Sequence, residues 1–145
     1  MPKSTATCNS IVDLMYSATT WANVAVDATV APLTDVYVAL HTGDLTAGTN
    51  SQAENEGTVY TNYVRKAVAR STGWAAASGG ATSNVATISF AQCGASGATL
   101  TDVSTGVGSS GATAVWHYGD LNSNLIVSSG ITPQFAPGAL TVTES

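Results

Sequence analysis

The stretch DVYVALHTGD (residues 35–44) decides the fold. Val36, Val38 and Leu40 alternate with Tyr37, Ala39 and His41, so an extended chain places the aliphatic residues on one face and the others opposite. Thr42-Gly43-Asp44 follows, a turn combination in which the aspartate side chain caps a backbone N–H. The segment reads as a strand entering a turn. The same two-residue period recurs beyond it. In TNYVRKAVAR (61–70), Tyr63, Arg65, Ala67 and Ala69 oppose Asn62, Val64, Lys66, Val68 and Arg70. NVATISF (84–90) contributes Ala86, Ile88 and Phe90, LTDVSTG (100–106) is a weaker run around Val103, and TAVWHYGDL (113–121) sets Ala114, Trp116 and Tyr118 against Val115 and His117. NLIVSSG and ALTVTES close the chain. Turn clusters rich in Gly, Ser and Asn separate these runs, the pattern of an antiparallel β-sandwich or jelly-roll-like fold.

Only the N-terminal region shows a helical period. Ile11, Leu14, Met15 and Ala18 follow the i, i+3, i+4, i+7 series, with Asn9 or Ser10 as cap and Asp13 near the positive helix end. A short helix is predicted from about residue 10 to 19, preceded by an extended arm over residues 1–9. The expectation is thus an all-β single domain over residues 10–145, carrying one N-terminal helix and an arm. Residues 43–58 form the longest predicted loop, and loops of that length in compact domains are usually functional or poorly ordered.

Composition narrows the function. The 145 residues include only 9% charged side chains, against about 25% in ordinary soluble domains. Lys3, Arg65, Lys66 and Arg70 are the only cations and the net charge is −5. Nucleic-acid binders gain affinity by neutralising phosphates with Lys and Arg, so no nucleic-acid or anionic-membrane partner is expected. The hydrophobic fraction is 44% and the mean hydropathy +0.17. No run approaches the roughly 20 apolar residues of a membrane helix, and no apolar segment of a signal peptide follows MPKSTATCNS. The polar residues are mainly uncharged and small, and such surfaces lose little side-chain entropy on packing against another protein. That favours a component of an assembly.

The chemistry-bearing residues are few. Cys8 and Cys93 permit one disulfide; with no export signal the default is two reduced thiols in a cytoplasm, behaving as small apolar residues. These cysteines and the distant His41 and His117 lack zinc-site spacing, and no metal or cofactor is expected. His41 with Asp44, Glu54 and Glu56 could be read as an imidazole oriented by a carboxylate, a general base. The plainer reading ends a strand at His41 and caps the turn with Asp44, because G-x-S-x-G, H-E-x-x-H and a phosphate-binding glycine loop are all missing. Glu54 and Glu56 as a glycosidase pair would need a rigid scaffold, and two acids in a loop are more often a solvated edge; calcium ligation by Asp44, Asn50, Glu54 and Glu56 stays open, although the spacing does not match the D-x-D-x-D-G loop. His117 could pair with Asp120, although a solvent- or interface-facing histidine is expected. Trp21, Trp74 and Trp116 could stack a sugar, but in a chain with two Phe they are expected in the core or an interface. No enzyme is expected.

Taken in order, VDLM in the N-terminal helix, DVYVALHTGD, SQAENE, YTNYVRKAVAR, TGWAAASGGATSN, ATISF and WHYGDLNSNLIVSSGITPQFAPGALTVT resemble a family of small tailed-bacteriophage virion proteins. Its members show an LYVALHTADPG strand-turn, a YTGYARVAV strand, a Trp before an Ala/Gly/Ser/Asn loop, and a C-terminal SGDTPRFAAGALTIT stretch. The likeness covers most of residues 10–143. Leu45 stands for the usual proline, Asn62 for Gly, Val64 for Ala and Ile131 for Asp or Thr, which puts the turn geometry in question rather than the fold.

Members of this family are loosely described as tail-fibre proteins, while others resemble capsid cement, or head-decoration, proteins. As a cement protein, the chain would bind the outer capsid surface, bridge copies of the major capsid protein, and form a homo-oligomer, dimer or trimer, at a local symmetry axis. It would be assembled in the host cytoplasm and reside on the capsid surface. The expected coat contacts are Lys3, Thr5 and Thr7 in the arm, pairing by strand addition, and Asp44, Glu54 and Glu56 in the long loop. Deletion of residues 2–9 is expected to abolish binding and spare the fold. The alternative is a tail or tail-fibre component, with a carbohydrate face using Trp74 or Trp116.

Overall fold

The computed structural model describes residues 3–22, 24–25, 32–49, 51–56 and 59–145. Its elements in order are α1 (Thr5–Tyr16), β1 (Asp35–His41), β2 (Lys66–Ala69), β3 (Ala81–Ser83), β4 (Ile88–Ser89), β5 (Ala98–Gly106), β6 (Val115–Val127), β7 (Gln134–Phe135) and β8 (Thr141–Thr143). One helix and otherwise antiparallel strands make the fold all-β, as the alternation predicts. The strands form a four-stranded sheet in the order β2-β1-β5-β6 and two two-stranded sheets, β3-β8 and β4-β7. The chain divides into two compact units: residues 1–35, 68–88 and 135–145, and residues 36–67 and 89–134.

In the first unit the helix starts five residues earlier than its apolar series suggests. Ser4 is the N-cap, its Oγ accepting from the Thr7 N–H at 3.2 Å, so one orphan donor of the first turn is satisfied. The buried face is Cys8, Val12 and Tyr16, an i, i+4, i+8 line; Ile11, Leu14 and Met15 are only half-buried. The reading of residues 1–9 as an extended arm is therefore corrected. Residues 5–9 are helical and Cys8 is in the core, so deleting residues 2–9 removes the cap, the first turn and a core side chain and is expected to destabilise the fold. Met1 and Pro2 lie outside the described residues.

The other end of α1 is closed by a buried cation. The Arg70 guanidinium donates to the carbonyls of Leu14 at 2.5 Å, Met15 at 2.7 Å and Leu33 at 2.7 Å. The last carbonyls of a helix have no intrahelical donor and carry its negative pole, which suits an arginine. Tyr16 packs edge-on against Trp74 at 4.8 Å, placing Trp74 in the core rather than on a sugar platform. Gly80 (φ +81°) passes beneath the helix and donates to Asn9 Oδ1. A Cβ there would lie 2.8 Å from the Glu144 carbonyl and 3.1 Å from Cys8 Cβ. Asn84 accepts from the Leu140 N–H and donates to the carbonyls of Ala86 and Ala136, and the predicted 84–90 strand begins only at Ile88 and holds Ile88 and Ser89.

The second unit is built on β1, β5 and β6. β1 pairs with β5 from Tyr37↔Gly106 to His41↔Asp102, and β5 with β6 from Ala98↔Val127 to Gly106↔Val115. Because side chains alternate, Val36, Val38 and Leu40 line one face and are fully buried. The opposite face collects Tyr37, Ala39 and His41 from β1, Asp102 and Ser104 from β5, and Tyr118 and Asp120 from β6. Residues 43–49 and 51–56 fold back on this polar face: Leu45 and Gln52 are buried, and Gln52 N–H donates to the Thr113 carbonyl at 2.9 Å. Leu45 thus replaces a turn proline with a core anchor. Asn62 adopts φ 75°, the left-handed region in which Asn is the best-tolerated substitute for the glycine of the related sequences.

Candidate functional site

The group of residues richest in chemical potential is the buried polar cluster on that face of the sheet. His41 is wholly buried at the end of β1. Its Nδ1 lies 2.8 Å from the Glu54 carbonyl, which can only accept, so Nδ1 carries the proton. Its Nε2, 2.8 Å from Ser104 Oγ, then accepts from that hydroxyl. Burial drives the His41 pKa below its ordinary 6.5; the Glu54 carbonyl, Glu56 and Asp102 pull it back up, while Arg65 adds to the lowering. Gln52 Nε2 bridges the Tyr37 carbonyl at 3.0 Å and Ser104 Oγ at 3.4 Å.

Arg65 organises the rest. Its Nε and Nη2 take Glu56 in a two-point pair at 2.7 and 2.5 Å. Nη1 donates to Thr113 Oγ1 at 2.7 Å, the Gly108 carbonyl at 2.9 Å and Gln52 Oε1 at 3.4 Å, and Nη2 also reaches the Gly111 carbonyl at 2.7 Å. Every face of the planar fork is used, which is why arginine rather than lysine serves here. Tyr63 Oη donates to Glu56 Oε1 at 2.9 Å and accepts from the Leu40 N–H at 2.9 Å, and burial raises its pKa. Arg65 thereby ties residues 51–56 to the 108–113 turn, and Tyr63 links Glu56 to the end of β1.

An imidazole accepting from a serine hydroxyl is the geometry of an activated nucleophile. Here the third member is a backbone carbonyl rather than a carboxylate. Ser104 is 1% exposed and His41 0%, so no substrate reaches Oγ. The arrangement fixes rotamers and closes donors and acceptors against one another. One atom is left over. Asp102, 2% exposed, has an Oδ1 without a partner and sits directly across from Asp120 in the β5–β6 register.

The residues predicted as a surface site behave differently from one another. Asp44 is exposed, and its carbonyl accepts from Asn55 Nδ2 at 2.7 Å. Glu54 presents its carbonyl to His41, while its carboxylate takes the Thr46 N–H at 3.0 Å and the Thr46 hydroxyl; that hydroxyl, then Thr49, lowers its pKa. Glu56, half-buried, is the counter-ion of the nearly buried Arg65 guanidinium. Asp44, Glu54 and Glu56 do not converge, and among the described residues no group of three His, Cys, Asp or Glu could hold a metal; Asn50 lies outside those residues. Lys3 pairs with Glu144 at 2.7 Å in the first unit, which raises its pKa, and Thr5 and Thr7 belong to the first turn of α1. Both cysteines are buried free thiols. The roles of Arg65, Gln52, Ser104 and Tyr63 are not legible in the sequence, although an Arg nine residues after a Glu in a chain so poor in charge is a usable signal.

The sequence matches the family described as Gp80, podophage GP4 fiber I protein gp80, over residues 4–143. No curated protein matches it. The match spans nearly the whole chain, and the chain belongs to that family: it is a structural protein of a bacteriophage virion.

Proposed function

We propose that this member of the podophage fibre-protein family is a fibre-associated structural component of the virion, acting through static protein–protein contacts and catalysing no reaction. The observation that carries the reading is the family match over residues 4–143, whose description names a fibre protein. The interior supports it. The most reactive-looking group, His41 with Ser104, is sealed, and its neighbours are spent on holding loops to the sheet. Such an arrangement is suited to bearing load without rearranging, since a buried network in which nearly every donor and acceptor is paired favours a single conformation.

The charge-poor composition, 9% of residues, favours a second reading as a capsid cement protein bridging copies of the major capsid protein. Among the described residues, 5–9 of the arm which that reading would thread between coat subunits are helical. Densitometry of purified virions separates the two. A fibre component is expected far below the coat protein in copy number, whereas abundance close to that of the coat protein would overturn the fibre reading in favour of cement.

A further inference from the structure

Residues 51–56 are tied to the polar face of the sheet by a chain of hydrogen bonds that runs in one direction. Arg65 Nη1 donates to Thr113 Oγ1 at 2.7 Å, and Thr113 Oγ1 to Gln52 Oε1 at 3.4 Å. Gln52 Nε2 donates to Ser104 Oγ at 3.4 Å, Ser104 Oγ to His41 Nε2 at 2.8 Å, and His41 Nδ1 to the Glu54 carbonyl at 2.8 Å. A guanidinium only donates and a carbonyl only accepts, so both ends are fixed and each link between them has one orientation. The Tyr37 carbonyl, which accepts from Gln52 Nε2 at 3.0 Å, sets the amide the same way. Among the described residues, Ser104 Oγ has no hydrogen-bond partner besides His41 and Gln52.

A second proton on His41 can bind only at Nε2. It turns that nitrogen from acceptor into donor, so Ser104 Oγ meets two donors and its own hydrogen has no acceptor left. The imidazolium is also dry, because His41 and Gln52 are 0% exposed and Ser104 1%, and a buried charge without water is costly. The Nδ1 contact to Glu54 survives protonation, so the misfit falls on Gln52. We propose that the chain of bonds is an acid-operated latch: protonation of His41 withdraws Gln52 from Ser104, residues 51–53 lift from the sheet, and water reaches the imidazolium. Residues 54–56 stay held by His41, Thr42 and Arg65.

The groups around His41 set the direction of the response. Asp102 on β5 and Glu56 favour the added proton, and Asp120 of β6 stands beyond Asp102 in the ladder. Arg65 opposes it, the Glu54 carboxylate is turned to Thr46, and Tyr63 is occupied by Glu56 and the Leu40 N–H. Burial holds the closed form below the ordinary 6.5, whereas a wet imidazole titrates near that value. Opening therefore takes up one proton and grows as pH falls below about 6.5, with the β1–β5 ladder intact.

Hydrogen exchange read by NMR on the full chain, from about pH 7.5 to about 4.5, tests the latch, each rate being divided by that of an unstructured amide at the same pH. Protection of the Gln52 N–H, which donates to the Thr113 carbonyl, should fall about tenfold or more as the His41 ring titrates. Protection of the Thr42 N–H, bonded to the Asn55 carbonyl, and of the β1–β5 ladder should hold over the same range. Asp102→Asn removes a carboxylate that favours the imidazolium, so the step should move to lower pH. His41→Gln should remove the step. Gln52 protection that stays level, that is lost together with the ladder, or that falls at an unchanged pH in either variant would overturn the latch and leave the fibre reading standing.

Discussion

Arg65 and Glu56 form a two-point ion pair in which the arginine side chain is 1% and the glutamate 13% exposed. The pair lies beneath loop 51–56 and the 108–113 turn, and the second unit depends on it. Removing one member of a buried pair strands the other's charge, which typically costs about 3–5 kcal/mol. Arg65→Met should lose that much by urea titration. Glu56→Gln should lose less, about 1–3 kcal/mol, since Gln52, Thr113 and the carbonyls of Gly108 and Gly111 still hold the guanidinium. Equal losses in the two variants would show that the carbonyl contacts contribute little.

How much of this was legible in the sequence follows from what each signal encodes. The alternation in residues 35–41 is a local property of the strand and identified β1, its aliphatic face and its end at His41. The helix was found but displaced, because Ile11, Leu14 and Met15 follow a helical period while the burying partners select Cys8, Val12 and Tyr16. The site was legible only as residue types. Whether Glu54 offers His41 a carboxylate or a carbonyl, and whether Glu56 faces solvent or Arg65, depends on how loop 43–56 folds back on the sheet. That is settled by contacts 9 to 63 positions apart in sequence.

Stability should depend on pH through His41. Its pKa in the folded chain lies below the ordinary 6.5, so the unfolded chain takes up the proton first as pH falls. Stability is then full above about 6.5 and declines below it, by up to about 1.4 kcal/mol per pH unit, until the folded-state value is reached. Chemical denaturation between pH 7.5 and 5 should record the decline, and His41→Gln should flatten it. A wild-type profile that is level across this range would contradict the buried, neutral imidazole.

Asp102 is expected to be a site of stabilisation. Its Oδ1 is buried and unpartnered, and the residue stands opposite Asp120 in the ladder, where two acidic residues oppose pairing. Asp102→Asn removes the charge and supplies a donor, and thermal unfolding should rise, by about 1–2 kcal/mol in stability. A fall would mean that the carboxylate is needed.

Gly106 illustrates a close approach. A Cβ at this position would fall 2.2 Å from the Ala114 carbonyl and 2.4 Å from Gln52 Oε1. Gly106→Ala should cost about 3 kcal/mol, the upper end of the overpacking range, by displacing Gln52 from the sheet. Unchanged stability would show that the loop can yield there.

Location on the particle tests the central claim most directly. Gold-labelled antibody against the purified chain, applied to intact virions and imaged by electron microscopy, should decorate the fibres or their attachment points and leave the head bare. Label spread evenly over the head would contradict the fibre assignment and identify the chain as capsid cement.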